Sequence, residues 1–161
     1  MSKLLLSLGS NKGDRALYLA KATDYCTQHL GKLLKKAPIY ETTAWGNANQ
    51  SAFLNTCICI ETTLQPKAVF EKIKAIEALL MRSSSEHWGP REIDIDIILY
   101  DALVLTSTML TIPHASAHLR KFVLQPAAAI CPEWEHPVFK KSIETLLAEC
   151  PDTLEVALWK N

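Results

Sequence analysis

At 161 residues and 48% hydrophobic side chains, the chain has the size of one domain that buries a core without needing disulfides. Seventeen basic and seventeen acidic residues cancel, which excludes a protein that grips nucleic acid through a broadly basic face and leaves any anion site to a few local cations. Only Arg15, Arg82, Arg91 and Arg120 supply guanidinium groups.

The apolar start, Met1 to Leu8, stops at Gly9-Ser10-Asn11, too soon for an export signal. No run approaches the ~20 apolar residues of a membrane span, so a soluble, cytoplasmic protein is expected. Lys3 to Leu8 reads as a central strand. Asp14 caps a helix to about Leu30, where Leu19, Ala22, Cys26 and Leu30 recur at helical spacing and Gly31 marks the stop. Leu33 to Tyr40 reads as a second strand, Thr43 to Ala52 as a surface loop, and Leu54 to Glu61 as a third strand.

Gln65-Pro66 opens a second helix with Val69, Ile73, Ile76 and Leu80 as its buried stripe, ended by Ser83-Ser84-Ser85. The segment around Asp94 and Asp96 is a strand, Leu103 to Leu105 a possible short one, Phe122 to Ile130 a helical stretch and Ser142 to Glu149 a last short helix. The order strand, helix, strand, strand, helix, strand implies an α+β, ferredoxin-like arrangement: an antiparallel sheet with helices on one face, plus C-terminal helical additions.

The five cysteines, Cys26, Cys57, Cys59, Cys131 and Cys150, are odd in number and scattered through apolar stretches, as small core residues in a reducing compartment would be. Cys57 and Cys59 share a strand face and could pass for a metal pair, but no second pair at ligand spacing accompanies them.

The run Trp88 to Tyr100, WGPREIDIDIILY, carries the chemistry. Side chains alternate along a strand rising about 3.3 Å per residue, so Asp94 and Asp96 share one face, roughly 6 to 7 Å apart at the backbone. Ile93, Ile95, Ile97 and Leu99 then take the opposite, core-facing side. Adjacent like charges repel, and a cation between them relieves that repulsion. Carboxylates without thiol or imidazole suit Mg²⁺ or Mn²⁺, and Arg91 just ahead of them suits phosphate oxygens. The competing reading is a solvated edge strand in which Arg91 pairs with one aspartate.

Gly89-Pro90-Arg91-x-Ile93-Asp94-x-Asp96-Ile97 closely resembles the signature of the 6-hydroxymethyl-7,8-dihydropterin pyrophosphokinase family. Gly9-Ser10-Asn11, Tyr40-x-Thr42, Phe53-Leu54-Asn55, Ile76-Glu77, Pro113-His114 and Arg120-x-Phe122-Val123-Leu124-x-Pro126 stand in that family's order, so the resemblance spans nearly the whole chain. It implies one pyrophosphokinase domain over residues 1–161, acting as a monomer, that moves the terminal pyrophosphoryl unit of ATP to the dihydropterin hydroxymethyl group and releases AMP in folate biosynthesis. No Walker-type loop or dinucleotide fingerprint is present, so side chains and metal must hold the nucleotide.

The resemblance implies two Mg²⁺ on Asp94 and Asp96, and Arg82 and Arg91 on the transferred phosphates as catalytic groups. It implies Lys74, Glu77, Ile98, Thr111, His114 and Arg120 around ATP, and Thr42, Ala44, Trp45, Asn55 and Asp94 around a pterin sandwiched by Phe53 and Phe122. The serine loop after Arg82 is expected to close on ATP. Four departures from the family pattern, Met81 before Arg82, Ser83-Ser84-Ser85 in place of a second basic residue, Lys74 where glutamine is common and Ala115 after the histidine, imply weaker nucleotide affinity. Two rival readings remain at this level: a pterin- or nucleotide-binding module without catalysis, and a simple kinase that releases ADP.

Overall fold

The computed structural model describes residues 1–42, 51–81 and 92–161. Five segments build the central sheet and its flanking helices: β1 (Ser2–Ser10), α1 (Arg15–His29), β2 (Lys32–Lys36), β3 (Tyr40–Thr42) and β4 (Phe53–Thr62). After them come α2 (Pro66–Leu80), β5 (Asp94–Tyr100), a small ribbon of β6 (Leu105–Thr106) and β7 (Thr111–Ile112), α3 (Lys121–Ile130), α4 (Ile143–Glu149) and β8 (Val156–Leu158). The sheet runs β5-β1-β4-β3-β8, with β2 also lying along β4, and every pairing is antiparallel. That order is the ferredoxin-like arrangement the alternation of elements implies.

β1 is central because nearly all of it is apolar: Leu4, Leu6 and Leu8 point to one face and Leu5 to the other, all fully buried. Leu4, Leu6 and Leu8 join Leu54, Ile58, Ile60, Ile93, Ile95 and Ile97 beneath α1 and α2, whose Leu19, Ala22, Val69 and Ile73 complete that core. The C-terminal helices take the other face, where Val123, Leu124 and Ala127 of α3 and Ile143 and Leu146 of α4 cover Leu5, Cys57, Cys59 and Leu99. Each such leucine or isoleucine contributes about 1.5–3 kcal/mol by leaving water.

Local signals set the helix starts. Asp14 Oδ1 accepts from Leu17 N at 3.1 Å, and Ser142 Oγ from Thr145 N at 3.1 Å. Pro66 stands in the first turn of α2, where its missing N–H leaves no helical bond unmade. The end of α2 expected at Ser83-Ser84-Ser85 lies outside the described residues, which stop at the Met81 cap. Among the described residues no helix is long and apolar enough to cross a membrane.

Four features depart from the linear reading. The strand expected over Leu33 to Tyr40 is two strands, because Pro38 has no N–H to donate to a ladder; Ala37 N still donates to Cys57 O at 2.9 Å. Leu5 faces Leu99 while Leu6 faces Ile97, so Ile98 is the extra residue of a bulge that reverses the alternation. Leu99 therefore does not share a face with Ile93, Ile95 and Ile97 but packs with Ile98 under α3. The short strand expected over Leu103 to Leu105 forms at Leu105–Thr106, and β8, too brief to show a period, was not expected at all.

The turn from α1 into β2 depends on Gly31, at φ +152°, where an added Cβ would lie 2.0 Å from the Glu61 carbonyl oxygen. Gly31→Ala should lower unfolding stability by about 2–3 kcal/mol, since neither the backbone angle nor the carbonyl can yield cheaply. A urea melt showing a midpoint unchanged from the parent protein would contradict this.

Candidate active site

β5 presents Asp94 and Asp96 on the sheet face that α3 partly covers, and the register fixes their neighbours. Asp94 lies opposite Gly9 of β1, which lies opposite Asn55 of β4; Asp96 lies opposite Ser7, which lies opposite Cys57. Directly opposed residues of antiparallel strands share a face. The two carboxylates, Asn55 and, two residues before it, Phe53 therefore look into the same space, which Phe122 and Arg120 bound from the start of α3. The Arg120 guanidinium sits 5.9 Å from the Phe122 ring centre.

Gly9 has a steric role in this row. A Cβ there would lie 2.7 Å from Asn55 Nδ2 and 3.6 Å from Phe53 Cδ1, so only glycine lets the Asn55 amide lie flat across β1. Asn55 is 3% exposed, and among the described residues no donor reaches its Oδ1. Buried amide oxygens are rarely left so, and a polar ligand would complete this one.

Negative charge is concentrated at β5. Burial together with the charges of Asp94 and Glu77 pushes the Asp96 carboxyl up to about 7, against the opposing pull of Arg120 and Lys74. Glu77, expected beside the nucleotide, is instead turned into the protein behind the strand and is 6% exposed. Its Oε2 accepts from Ile95 N at 2.9 Å, between the two aspartates, and its Oε1 from Lys74 Nζ at 2.9 Å. Desolvation raises its carboxyl pKa while the Ile95 amide and Lys74 oppose the rise. Lys74 thus neutralises the carboxylate that fixes the backbone between Asp94 and Asp96.

Beside Asp96 opens a cleft of about 210 Å³, walled by Phe70, Lys74, Ile95, Thr111, His114 and Ala115 among others. His114 is positioned by its own N–H, which donates to Ile98 O at 3.1 Å. Its Nδ1 accepts from Ser116 N at 3.1 Å, leaving Nε2 to carry the proton of the neutral ring, 4.0 Å from Asp96 Oδ2. Desolvation first, and then Arg120, lower its pKa, so it faces the cleft as an uncharged donor.

The sequence-expected residues thus fall into three groups. Asp94, Asp96, Asn55, Phe53, Phe122 and Arg120 converge on one face, and Lys74, Thr111 and His114 line the adjoining cleft. Ile98 buries its side chain in the α3-side core and serves His114 through its carbonyl. Thr42 is 4% exposed and donates its hydroxyl to Glu155 O at 2.9 Å, on the strand between β4 and β8, so its side chain is taken up within the fold. Arg82, Arg91, Ala44, Trp45 and the serine loop lie outside the described residues.

Two contributors were not singled out from the sequence. Phe70, one turn before Lys74 and 5.4 Å from its Nζ, forms an aromatic wall of the cleft, and the i, i+4 spacing was the available signal. Arg15 binds Glu41 Oε2 at 2.8 Å and Ala52 O at 2.7 Å, joining α1 to β3 and to the entry of β4, and nothing local in the sequence announces that.

Comparison with known proteins gives the family. The sequence profile described as 7,8-dihydro-6-hydroxymethylpterin-pyrophosphokinase (HPPK) matches residues 5–132. A 2-amino-4-hydroxy-6-hydroxymethyldihydropteridine pyrophosphokinase of Aquifex aeolicus is 38% identical over 149 residues, 92% of each chain. The protein of that name from Bacillus subtilis is 39% identical over 157 residues, 97% of this chain and 89% of the relative. In fold, the chain is similar to a crystal structure of wild-type Plasmodium falciparum HPPK-DHPS with SDX-DHP, at TM-score 0.72 and 17% identity, over 92% of this chain and 44% of that longer one. With its profile matched over most of its length and its strands carrying the site in register, the chain belongs to the 7,8-dihydro-6-hydroxymethylpterin-pyrophosphokinase family.

Proposed function

We propose that the face shared by Asp94, Asp96, Asn55, Phe53 and Phe122, with the cleft beside it, is where the family's reaction takes place on this chain. The reaction is transfer of a pyrophosphoryl group to 6-hydroxymethyl-7,8-dihydropterin in folate biosynthesis. ATP is the donor and AMP the second product. The observation that supports the assignment is the row Asp94, Gly9, Asn55 across three strands, which sets a carboxylate beside a buried amide, the two chemistries that phosphate handling and pterin recognition require.

Phe53 and Phe122 hold the flat pterin ring by stacking, and Asn55 Oδ1 accepts from its amino or ring N–H groups. The hydroxymethyl group then points along the row toward Asp94, where that carboxylate can hold the proton the alcohol loses. ATP occupies the cleft, with Thr111 and the main chain near Ile98 toward the base and His114 and Arg120 toward the phosphates. An uncharged His114 donates from Nε2, while Arg120 supplies a fixed positive charge as negative charge builds on the bridging oxygen. Lys74 adds a further cation at the cleft wall, and Arg82 and Arg91 act on the transferred phosphates.

The donor set fits magnesium. Asp94 and Asp96 are hard oxygen ligands crowded enough to raise one carboxyl to about 7, and a divalent cation relieves that crowding. When bound, Mg²⁺ would neutralise phosphate charge and polarise the phosphoryl oxygens. Two ions with ATP are the expected complement.

Mixing the protein with Mg·ATP and hydroxymethyldihydropterin should yield AMP. ADP as the sole nucleotide product would indicate a simple kinase, and tight pterin binding without turnover a non-catalytic module. Asn55→Ala should raise the pterin KM about 10-fold or more, the loss of at least one buried hydrogen bond, while the ATP KM changes less than 2-fold; equal changes in both constants would place Asn55 outside the pterin pocket.

Asp96→Asn offers a test by stability. A carboxyl whose folded pKa is raised from 3.8 to about 7 weakens the fold progressively as pH climbs through that interval, and the full deficit is present at pH 8. The side chain is 37% exposed, so the screened gain on neutralisation is on the order of 1 kcal/mol, or about 2–4 °C in Tm. In metal-free buffer Asp96→Asn should melt higher than the parent at pH 8 and match it at pH 4, while losing AMP formation and the stabilisation by Mg·ATP. A variant that melts lower at pH 8 would contradict the crowding.

A further inference from the structure

The opposite end of the sheet carries a second concave site that the transfer reaction does not use. A pocket of about 460 Å³ is bounded by Lys3, Lys35, Cys59, Asp101, Cys131 and Trp134, among others. Cys59, on β4, is buried; Cys131, directly after α3, is half-buried and reaches the pocket. The two thiols face the same space: Lys35, directly opposite Cys59 in the sheet, reaches the carbonyl of Ile130, the residue before Cys131, and both cysteines line the pocket. Two cations flank them: Lys35 Nζ donates to Ile130 O at 3.0 Å, and Lys3 Nζ sits 5.6 Å from the Trp134 ring centre.

We propose that Cys131 and Cys59 are a redox-active thiol pair, which a low-molecular-weight disulfide entering this pocket converts to an intramolecular disulfide. The half-buried sulfur is the attacking one and the buried sulfur the resolving one. Cys131 thiolate attacks one sulfur of the reagent, forms a mixed disulfide, and releases one reagent thiolate with its electron pair. Cys59 then loses its proton to solvent, attacks Cys131 Sγ and displaces the second reagent thiolate. Two electrons leave the protein thiols and reduce one reagent disulfide to two thiols.

The division of labour follows from the surroundings. Cys131 is the more exposed of the two, and its neighbour Cys59, aided by Lys35 and Lys3 and opposed by partial burial, brings its pKa down to about 7, whereas Cys131 and burial push Cys59 up. The other buried thiols are poorly placed: Cys57 donates to Val123 O at 3.6 Å and is pushed up by desolvation, and Cys26 lies on the α1 side at about 12. Because α3 begins at the candidate active site and ends at Cys131, the new bond would tie that helix covalently to β4.

The test uses the unmutated protein and oxidised glutathione. Intact mass should fall by about 2 Da, the change for one disulfide, after passing through a glutathione adduct. Peptide mapping should place the bond between Cys59 and Cys131, and dithiothreitol should reverse it. Cys131→Ser should abolish both adduct and bond, and iodoacetamide should label Cys131 before the other four thiols, with half-maximal rate near pH 7. A persistent adduct that never resolves, a bond joining a different pair, or labelling of Cys131 that rises only above about pH 8.5, as for an ordinary thiol, would each overturn the proposal.

Discussion

Three carboxylates held within one turn of helix and one strand are the constraint around which this molecule is arranged. Asp94 and Asp96 share a face of β5, and Glu77 reaches the same strand from behind to take the Ile95 amide. Such crowding opposes folding, since burial and the charges of Asp94 and Glu77 raise the proton affinity of Asp96, and burial with Asp94 raises that of Glu77. The fold tolerates it because β5 is anchored elsewhere, by Ile93, Ile95 and Ile97 packed under α1 and α2 and by pairing along β1.

The surrounding polar groups repeat that logic on a smaller scale. Gly9 gives up a side chain so that Asn55 can lie across β1, and Asn55 keeps an oxygen without a donor among the described residues. His114 is kept neutral with its proton toward the cleft, held by Ile98 O on one side and Ser116 N on the other. Lys74 answers the Glu77 charge directly, at 2.9 Å. Each device organises the site before any ligand arrives, the condition under which electrostatic stabilisation is most effective.

The two faces of the sheet divide the work. α1 and α2 seal one face with an apolar core, whereas α3 and α4 pack on the other, the face that also carries the Asp94, Gly9, Asn55 row. At the far end α3 terminates over Cys59, where a second pocket opens. One helix thus borders both concave regions, and the bulge at Ile98 lets Ile98 and Leu99 both pack beneath it between those ends.

Much of this could be read from the chain because its signals are local. Strict alternation put Asp94 and Asp96 together, Asp14 and Pro66 announced helix starts, and the glycine, asparagine and aspartate motifs identified the family with its substrates. What could not be read depends on contacts between distant segments. The bulge that turns Leu99 away from Ile97 arises from pairing with Leu5, and the split of the second strand follows from how Pro38 meets β4. Glu77's turn into the protein, the raised Asp96 carboxyl and the meeting of Cys59 with Cys131, 72 positions apart, exist only once the sheet has formed. Sequence specifies each residue's chemistry and its phase within an element; desolvation and proximity, which set pKa, hydrogen-bond partners and pocket walls, are properties of the packed chain alone.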